Sequence, residues 1–225
     1  ILFFKQEVMA PARLAGGILL VAETMDQVKE HRNAWLYNPG QRRVRRAPNV
    51  AYDNPGTAAD AMRTSDQFDM YNGAPDRYDW ELVGRKEIYI PYNSYKLQDP
   101  SVKNSDILTP LHINQKLPRY ELHRVWVIEA NLAPGKRHVV AKRQFYLDED
   151  TWQIILMDGW DAQGELWRMA YTLTLLAPDV PSLVGDIAWG VYNLQTGGYY
   201  LNAALNGTSQ LKVVDRRRES FFSPE

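Results

Sequence analysis

Residues 120–177 hold the pattern that decides the fold: YELHRVWVIEANL at 120–132, RHVVAKRQFYL at 137–147, TWQIILMDGW at 151–160 and ELWRMAYTLTLLA at 165–177. Each run mixes β-branched and aromatic residues with polar ones, a composition that suits a pleated, half-buried strand. The breaks between them, Ala133-Pro134-Gly135, Asp148-Glu149-Asp150 and Asp161-Ala162-Gln163-Gly164, are built from residues that tolerate a tight turn or hydrogen-bond it locally. Short turns joining successive strand-like runs predict an antiparallel meander. Trp and Tyr fall on both parities of several runs. Such a sheet needs cover on both sides, or it leaves an apolar surface for a ligand.

Working outward, Ile1–Val8 and Arg13–Glu23 read as strands separated by Ala10-Pro11, the second apolar on both faces as for a strand covered on both sides. After the polar segment Met25–Arg32, the turn Asn38-Pro39-Gly40 joins Asn33–Tyr37 to Gln41–Arg46 in a predicted hairpin. Arg42, Arg43, Arg45 and Arg46 straddle Val44, so alternation divides them between two faces. A solvated edge strand protected by charge explains them, and Arg43 and Arg45 are the candidates for contact with an anionic headgroup. Ala47–Asp79 is rich in turn residues, with short helices expected around Ala58–Met62 and Ser65–Tyr71. Tyr78–Tyr92 returns to strand character, and Lys96–Pro118 is a long polar connection of the kind that covers something or carries function. A short helix is expected at Leu183–Asn193, a turn at Gly197-Gly198, and a solvated tail at Arg216-Arg217-Arg218. There is no internal repeat and no biased linker, so one domain is expected over residues 1–225.

Composition narrows the function. The 225 residues are 45% hydrophobic and 12% aromatic, with a formal net charge of -1, which provides no bulk attraction for nucleic acid. Cysteine is absent, removing disulfides, thiol catalysis and thiolate metal sites. No nucleophile elbow, phosphate-binding loop or dinucleotide fingerprint occurs. His31, His112, His123 and His138 lack metal-ligand spacing. His123 and His138 lie on neighbouring predicted strands, where a cross-strand polar pair is the simpler reading than a two-histidine site. Asp148-Glu149-Asp150 reads as a turn in preference to a cation cluster. Asn206-Gly207-Thr208 fits both a glycosylation sequon and a turn. No catalytic residue, metal or cofactor is expected. No apolar run reaches the roughly 18–20 residues that span a bilayer. Ile1-Leu2-Phe3-Phe4 reads as the interior of a strand, so an upstream portion is expected, either cleaved or present as another chain.

Several stretches resemble a proteobacterial family of unknown function described as outer-membrane lipoprotein-sorting proteins. They are Trp35-Leu36-Tyr37-Asn38-Pro39-Gly40-Gln41-Arg42-Arg43-Val44-Arg45-Arg46-Ala47-Pro48, Ser65-Asp66-Gln67-Phe68-Asp69-Met70-Tyr71-Asn72-Gly73, Gly84-Arg85-Lys86-Glu87-Ile88-Tyr89-Ile90-Pro91-Tyr92-Asn93, and the run from His123 to Trp152. That family is similar in architecture to the periplasmic lipoprotein carriers LolA and LolB. The resemblance implies a mainly β (α+β) fold: a large curved antiparallel sheet forming an incomplete β-barrel, with a few short helices and long loops over its concave face. It implies a periplasmic carrier for a lipid, a lipoprotein acyl chain or another hydrophobic molecule, acting by reversible burial without covalent chemistry. An envelope transporter or outer-membrane partner would go with that role. Trp126, Ile128, Phe145, Ile154, Leu156, Met169 and Tyr171 are the residues expected to line the cavity. Two other readings stay open: a protein-interaction module that uses a free strand edge, and a hydrolase built on His112 or His123 with a carboxylate.

Overall fold

The computed structural model describes residues 2–47, 52–56, 59–178, 182–184, 188–202 and 214–224. Its strands are β1 (Phe3–Glu7), β2 (Ile18–Ala22), β3 (Asn33–Asn38), β4 (Arg43–Arg46), β5 (Tyr78–Pro91), β6 (Tyr120–Leu132), β7 (Lys142–Asp148), β8 (Ile154–Trp160), β9 (Leu166–Thr172), β10 (Leu175–Ala177), β11 (Ser182–Val184), β12 (Trp189–Asn193) and β13 (Tyr199–Asn202). The one α-helical turn among the described residues, α1, is Asn104–Ile107. The fold is therefore mainly β, and every strand pair is antiparallel.

The expected meander is present: β5 to β9 are neighbours in chain order within a seven-stranded sheet that continues into β12 and β13. Among the described residues this sheet is open, with β5 and β13 as its edges. The described strands are divided among three sheets and do not form a single one. β1 to β4 make a separate four-stranded sheet, and β10 and β11 pair as a hairpin. The expected helix at Leu183–Asn193 falls partly outside the described residues, and 183–184 and 189–193 within it are strand. Trp189 and Val191 turn to one face of the large sheet while Gly190 and Tyr192 turn to the other, a two-residue period that no helix allows. The expected helix at Ala58–Met62 falls partly outside the described residues, and its described part, 59–62, is turn. The helix expected at Ser65–Tyr71 is a single 3-10 turn, Ser65–Gln67. The expected strand at 137–147 begins only at Lys142, because the loop before it turns His138 inward. Asn206-Gly207-Thr208 lies outside the described residues.

Both faces of the large sheet are covered. On one face, Ala130, Phe145, Met157, Ala170, Trp189 and Val191 bury themselves under Phe68, Met70 and Tyr71 of the segment before β5. On the other, Tyr171, Leu173, Leu156, Met169 and Tyr192 pack against Leu97, Ile107, Ile113 and Leu117. Those four belong to the long connection between β5 and β6, for which cover or function was expected and which covers this face of the sheet. Packing leaves little slack on β12. A Cβ built on Gly190 would stand 2.5 Å from Tyr171 Oη and 2.6 Å from the Tyr200 carbonyl oxygen. Gly190→Ala is therefore expected to lower stability by about 1–3 kcal/mol through overpacking, measured as a shift of the urea midpoint at unchanged slope.

The edge strand β5 runs for 14 residues and carries a bulge between Leu82 and Gly84. Asp79, Glu81, Arg85, Lys86 and Glu87 stud it with charge, which with the bulge discourages edge-to-edge pairing.

Candidate functional site

The site is assembled around the four-stranded sheet. Its strand register places Lys5, Ile18, Leu20, Trp35, Tyr37 and Val44 on one face, and Phe4, Leu19, Val21, Ala34 and Leu36 on the other. The run 18–22, apolar on both parities, thus has apolar neighbours on both sides. Each face borders a cavity.

The first cavity is the seam between the small sheet and the segment at 63–72. Leu2, Phe4, Leu19, Val21 and Phe68 provide its apolar lining, and Glu23, Arg32, Arg63, Ser65 and Asn72 its polar side. Its volume is about 70 Å³, little more than that of two waters at ~30 Å³ each. The seam is closed by a network in which Arg32 Nε lies 3.2 Å from Glu23 Oε2 and Arg32 Nη2 donates to Asn72 Oδ1 at 2.9 Å. Gln27 Nε2 donates to Glu23 Oε2 and to Asn72 Oδ1. Burial raises the Glu23 carboxyl above its ordinary value, against the pull of Arg32 and Asn72. This network joins the end of β2 to the segment that covers the large sheet.

That segment is itself anchored by one carboxylate. Asp66, 1% exposed, accepts from Arg143 Nη2 at 3.2 and 3.0 Å and from Thr64 Oγ1 at 2.6 Å, with His138 Nε2 at 3.1 Å. Val140 N–H donates to His138 Nδ1, so the ring proton sits on Nε2 and points at Asp66. Burial alone would raise the Asp66 carboxyl, but Arg143, His138 and Thr64 outweigh it and hold it well below the usual carboxylate range. Asp69 and Met70, with φ of 54° and 69°, then turn the chain sharply and send Met70 into the core.

The second cavity lies on the opposite face of the small sheet and is four times larger, about 280 Å³. Lys5, Ile18, Leu20, Trp35, Tyr37 and Val44 line it, and Ser223 and Pro224 close one side. The C-terminal segment reaches it through a 3-10 turn, Glu219–Phe222. Phe222 stacks on Phe3 at 5.4 Å, and Lys5 Nζ donates to the Phe221 carbonyl at 3.2 Å while lying over its ring. Ligand pockets commonly begin near 300 Å³, so size selects this trough over the inner seam. Its chemistry is that of an apolar, aromatic-walled groove with one cation at its side.

The residues expected to line a cavity are divided between the two faces of the large sheet. Trp126, Ile128, Phe145 and Ile154 lie on the face covered by Met70, whereas Leu156, Met169 and Tyr171 lie on the face covered by Leu97 and Ile113. Trp126 stacks on the exposed Trp152, and Arg85 sits over its ring. Arg43 and Arg45 share a face with Leu36 and are exposed. The signal that locates the trough was present in the sequence, in the β2 run apolar on both parities. The C-terminal residues that close it had no such signal.

The histidines are dispersed. His138 serves Asp66, and His112 Nδ1 contacts the Ile113 carbonyl at 2.8 Å. His123 Nδ1 lies 2.9 Å from Asp148 Oδ1 and 4.0 Å from Asp150 Oδ2, with the Tyr92 ring 4.2 Å away. These three donors lie within 4.8 Å of one another, close enough to share a cation. Asp148 also accepts from the Thr151 amide and hydroxyl, the hydrogen bonding of a tight turn at the expected place. The Thr151 hydroxyl is thereby spent on the carboxylate and is not aligned on the imidazole.

A sequence model of the DUF1329 family, proteins of unknown function, matches residues 1–225. The uncharacterized protein PA3922 of Pseudomonas aeruginosa is 69% identical over 168 residues, 75% of this chain and 37% of that protein. The chain therefore spans just over a third of that relative's length. Among solved structures, one described as an outer membrane lipoprotein-sorting protein domain from Vibrio parahaemolyticus superposes with a TM-score of 0.61 at 16% identity, over 98% of this chain and 74% of that one. A DUF1329 family protein from Desulfovibrio piger gives 0.56 at 13% identity, over 88% and 67%. At such identities the likeness is one of fold.

Proposed function

The chain belongs to the DUF1329 family, and from that premise we propose that it is a periplasmic binding or carrier protein for a hydrophobic molecule, held in the trough on the small sheet. The observation that carries this reading is the trough itself, 280 Å³ walled by Ile18, Leu20, Trp35, Tyr37 and Val44 with Lys5 at its side. An acyl chain entering it leaves water at a gain of about 0.8 kcal/mol per buried methylene, and Lys5 offers a charge to an acidic head. Ser223 and Pro224 close one side of the trough, and the stacking of Phe222 on Phe3 and the contact of Lys5 with Phe221 hold that segment in place. The likeness in fold to a lipoprotein-sorting protein domain supports a lipid or a lipoprotein acyl chain as cargo. The reading assigns no covalent step.

Trp35→Asp puts a carboxylate into the apolar wall while leaving the seven-stranded sheet untouched. It is expected to weaken binding of an anilinonaphthalene sulfonate probe at least tenfold and to remove lipid that co-purifies with the wild type in native mass spectra. Unchanged probe affinity in this variant, with its circular dichroism intact, would rule out the trough as the ligand site.

A further inference from the structure

A second feature lies on the large sheet, away from the trough. Arg143 of β7, Gly159 of β8 and Arg168 of β9 occupy one cross-strand row, so both arginines project from the same face with a residue lacking a side chain between them. Two strand spacings separate their Cα atoms by about 10 Å, within the joint reach of two guanidinium groups. Both are buried, at 0% and 5% exposed. Both reach the same covering segment: Arg143 through Nη2 to Asp66, and Arg168 through Nη2 to the Ala61 carbonyl at 2.9 Å.

The donors and acceptors there do not balance. Among the described residues, Nε and Nη1 of Arg143 and Nε and Nη1 of Arg168 have no hydrogen-bond partner, and neither do the buried donors Gln67 Nε2 and Trp189 Nε1 in the same interface. Charge is equally unbalanced. Asp66 is the one carboxylate bonded to Arg143, and Arg168 is buried beside another arginine with only the Trp167 ring against its guanidinium face and no carboxylate bonded to it among the described residues. Burial and Arg143 together lower the Arg168 guanidinium to about 10, with Asp66 the carboxylate that opposes them. Buried charges are otherwise paired, and buried arginine donors otherwise find acceptors. A planar fork of donors suits one kind of partner above others, an oxyanion.

We propose that Arg143 and Arg168 form a buried oxyanion-binding site between the large sheet and its covering segment, taking a phosphate or carboxylate group. That group is either a free anion or the head of a lipid, and the site stands independently of the trough. The test is isothermal titration of the full chain, at constant ionic strength set with chloride, with inorganic phosphate and separately with monomeric dihexanoylphosphatidate. Saturable one-to-one binding of either probe is expected, with phosphate alone marking a free anion and phosphatidate alone a lipid head. Arg168→Gln, which leaves the Asp66–Arg143 pair in place, is expected to weaken that binding at least tenfold. Neither probe binding saturably, or Arg168→Gln binding as the wild type does, would overturn the proposal. If Arg168→Gln does not fold, the wild type still decides. The arginine Nε–H resonances of Arg143 and Arg168 shift with phosphate or phosphatidate if the site is real and stay fixed if it is not.

Discussion

Asp66→Asn is expected to lower the unfolding free energy by about 3–5 kcal/mol, the cost of breaking a buried ion pair from one side. The side chain keeps its shape but loses the charge that faces Arg143, which is fully buried and bonded to Asp66 through a single nitrogen. His138 and Thr64 lose their charged acceptor as well. The effect extends beyond the pair because Asp66 anchors the segment that carries Phe68, Met70 and Tyr71 onto the sheet. Urea unfolding at pH 7 measures it. Titration provides a second signature. The folded Asp66 carboxyl lies below its unfolded value, so its contribution is complete above the unfolded value of about 4 and is lost as pH falls below that toward the folded one. The wild type is expected to lose stability in that acid range, and Asp66→Asn to lose correspondingly less. Parallel pH profiles for the two proteins would contradict the pairing.

Phe145→Ala is expected to cost about 3–5 kcal/mol as well, for a different reason. Phe145 is 1% exposed, stacks on Trp80 at 5.8 Å and meets Tyr71 edge-on at 5.6 Å. Removing the ring opens a void between the sheet and its cover, and Met70, Tyr78 and Met157 around it are held by backbones that cannot close in fully. The measurement is the urea midpoint together with the binding of the hydrophobic probe. A side chain filling the core predicts a large loss of stability with probe affinity at the trough unchanged. A wall of a ligand cavity predicts the reverse, a small loss of stability and a large loss of affinity. The close aromatic packing favours the first outcome.

Much of the architecture was legible because it is encoded over short distances. The bounds of β6 match the expected run at 120–132, and the turn at Asp148-Glu149-Asp150 is closed by the hydrogen bonds that its residue types imply. The hairpin around Asn38-Pro39-Gly40 likewise follows from local turn chemistry, with Asn38 Oδ1 accepting from the Gly40 and Gln41 amides. The cavity lining was not legible. Ile154 and Leu156 share a parity by simple alternation. The bulge where β8 passes Tyr146 and Leu147 places Ile154 with Phe145, and Leu156 with Tyr171 on the other side. One extra residue reverses the facing of everything beyond it.

The sequence by itself determined that this protein is built of antiparallel strands joined by short turns, that a long connection at 96–118 covers something or carries function, and that β2 needs apolar neighbours on both sides. Each of these follows from side-chain period and turn chemistry within a few residues. Only the tertiary structure decided that the described strands divide into three sheets and that Ser223 and Pro224 close one side of the larger trough. It alone paired Asp66 with Arg143, 77 positions further on, and left Arg168 buried beside them. The reason is that burial and charge pairing depend on which distant segments share one interior, and no local pattern in the chain specifies that.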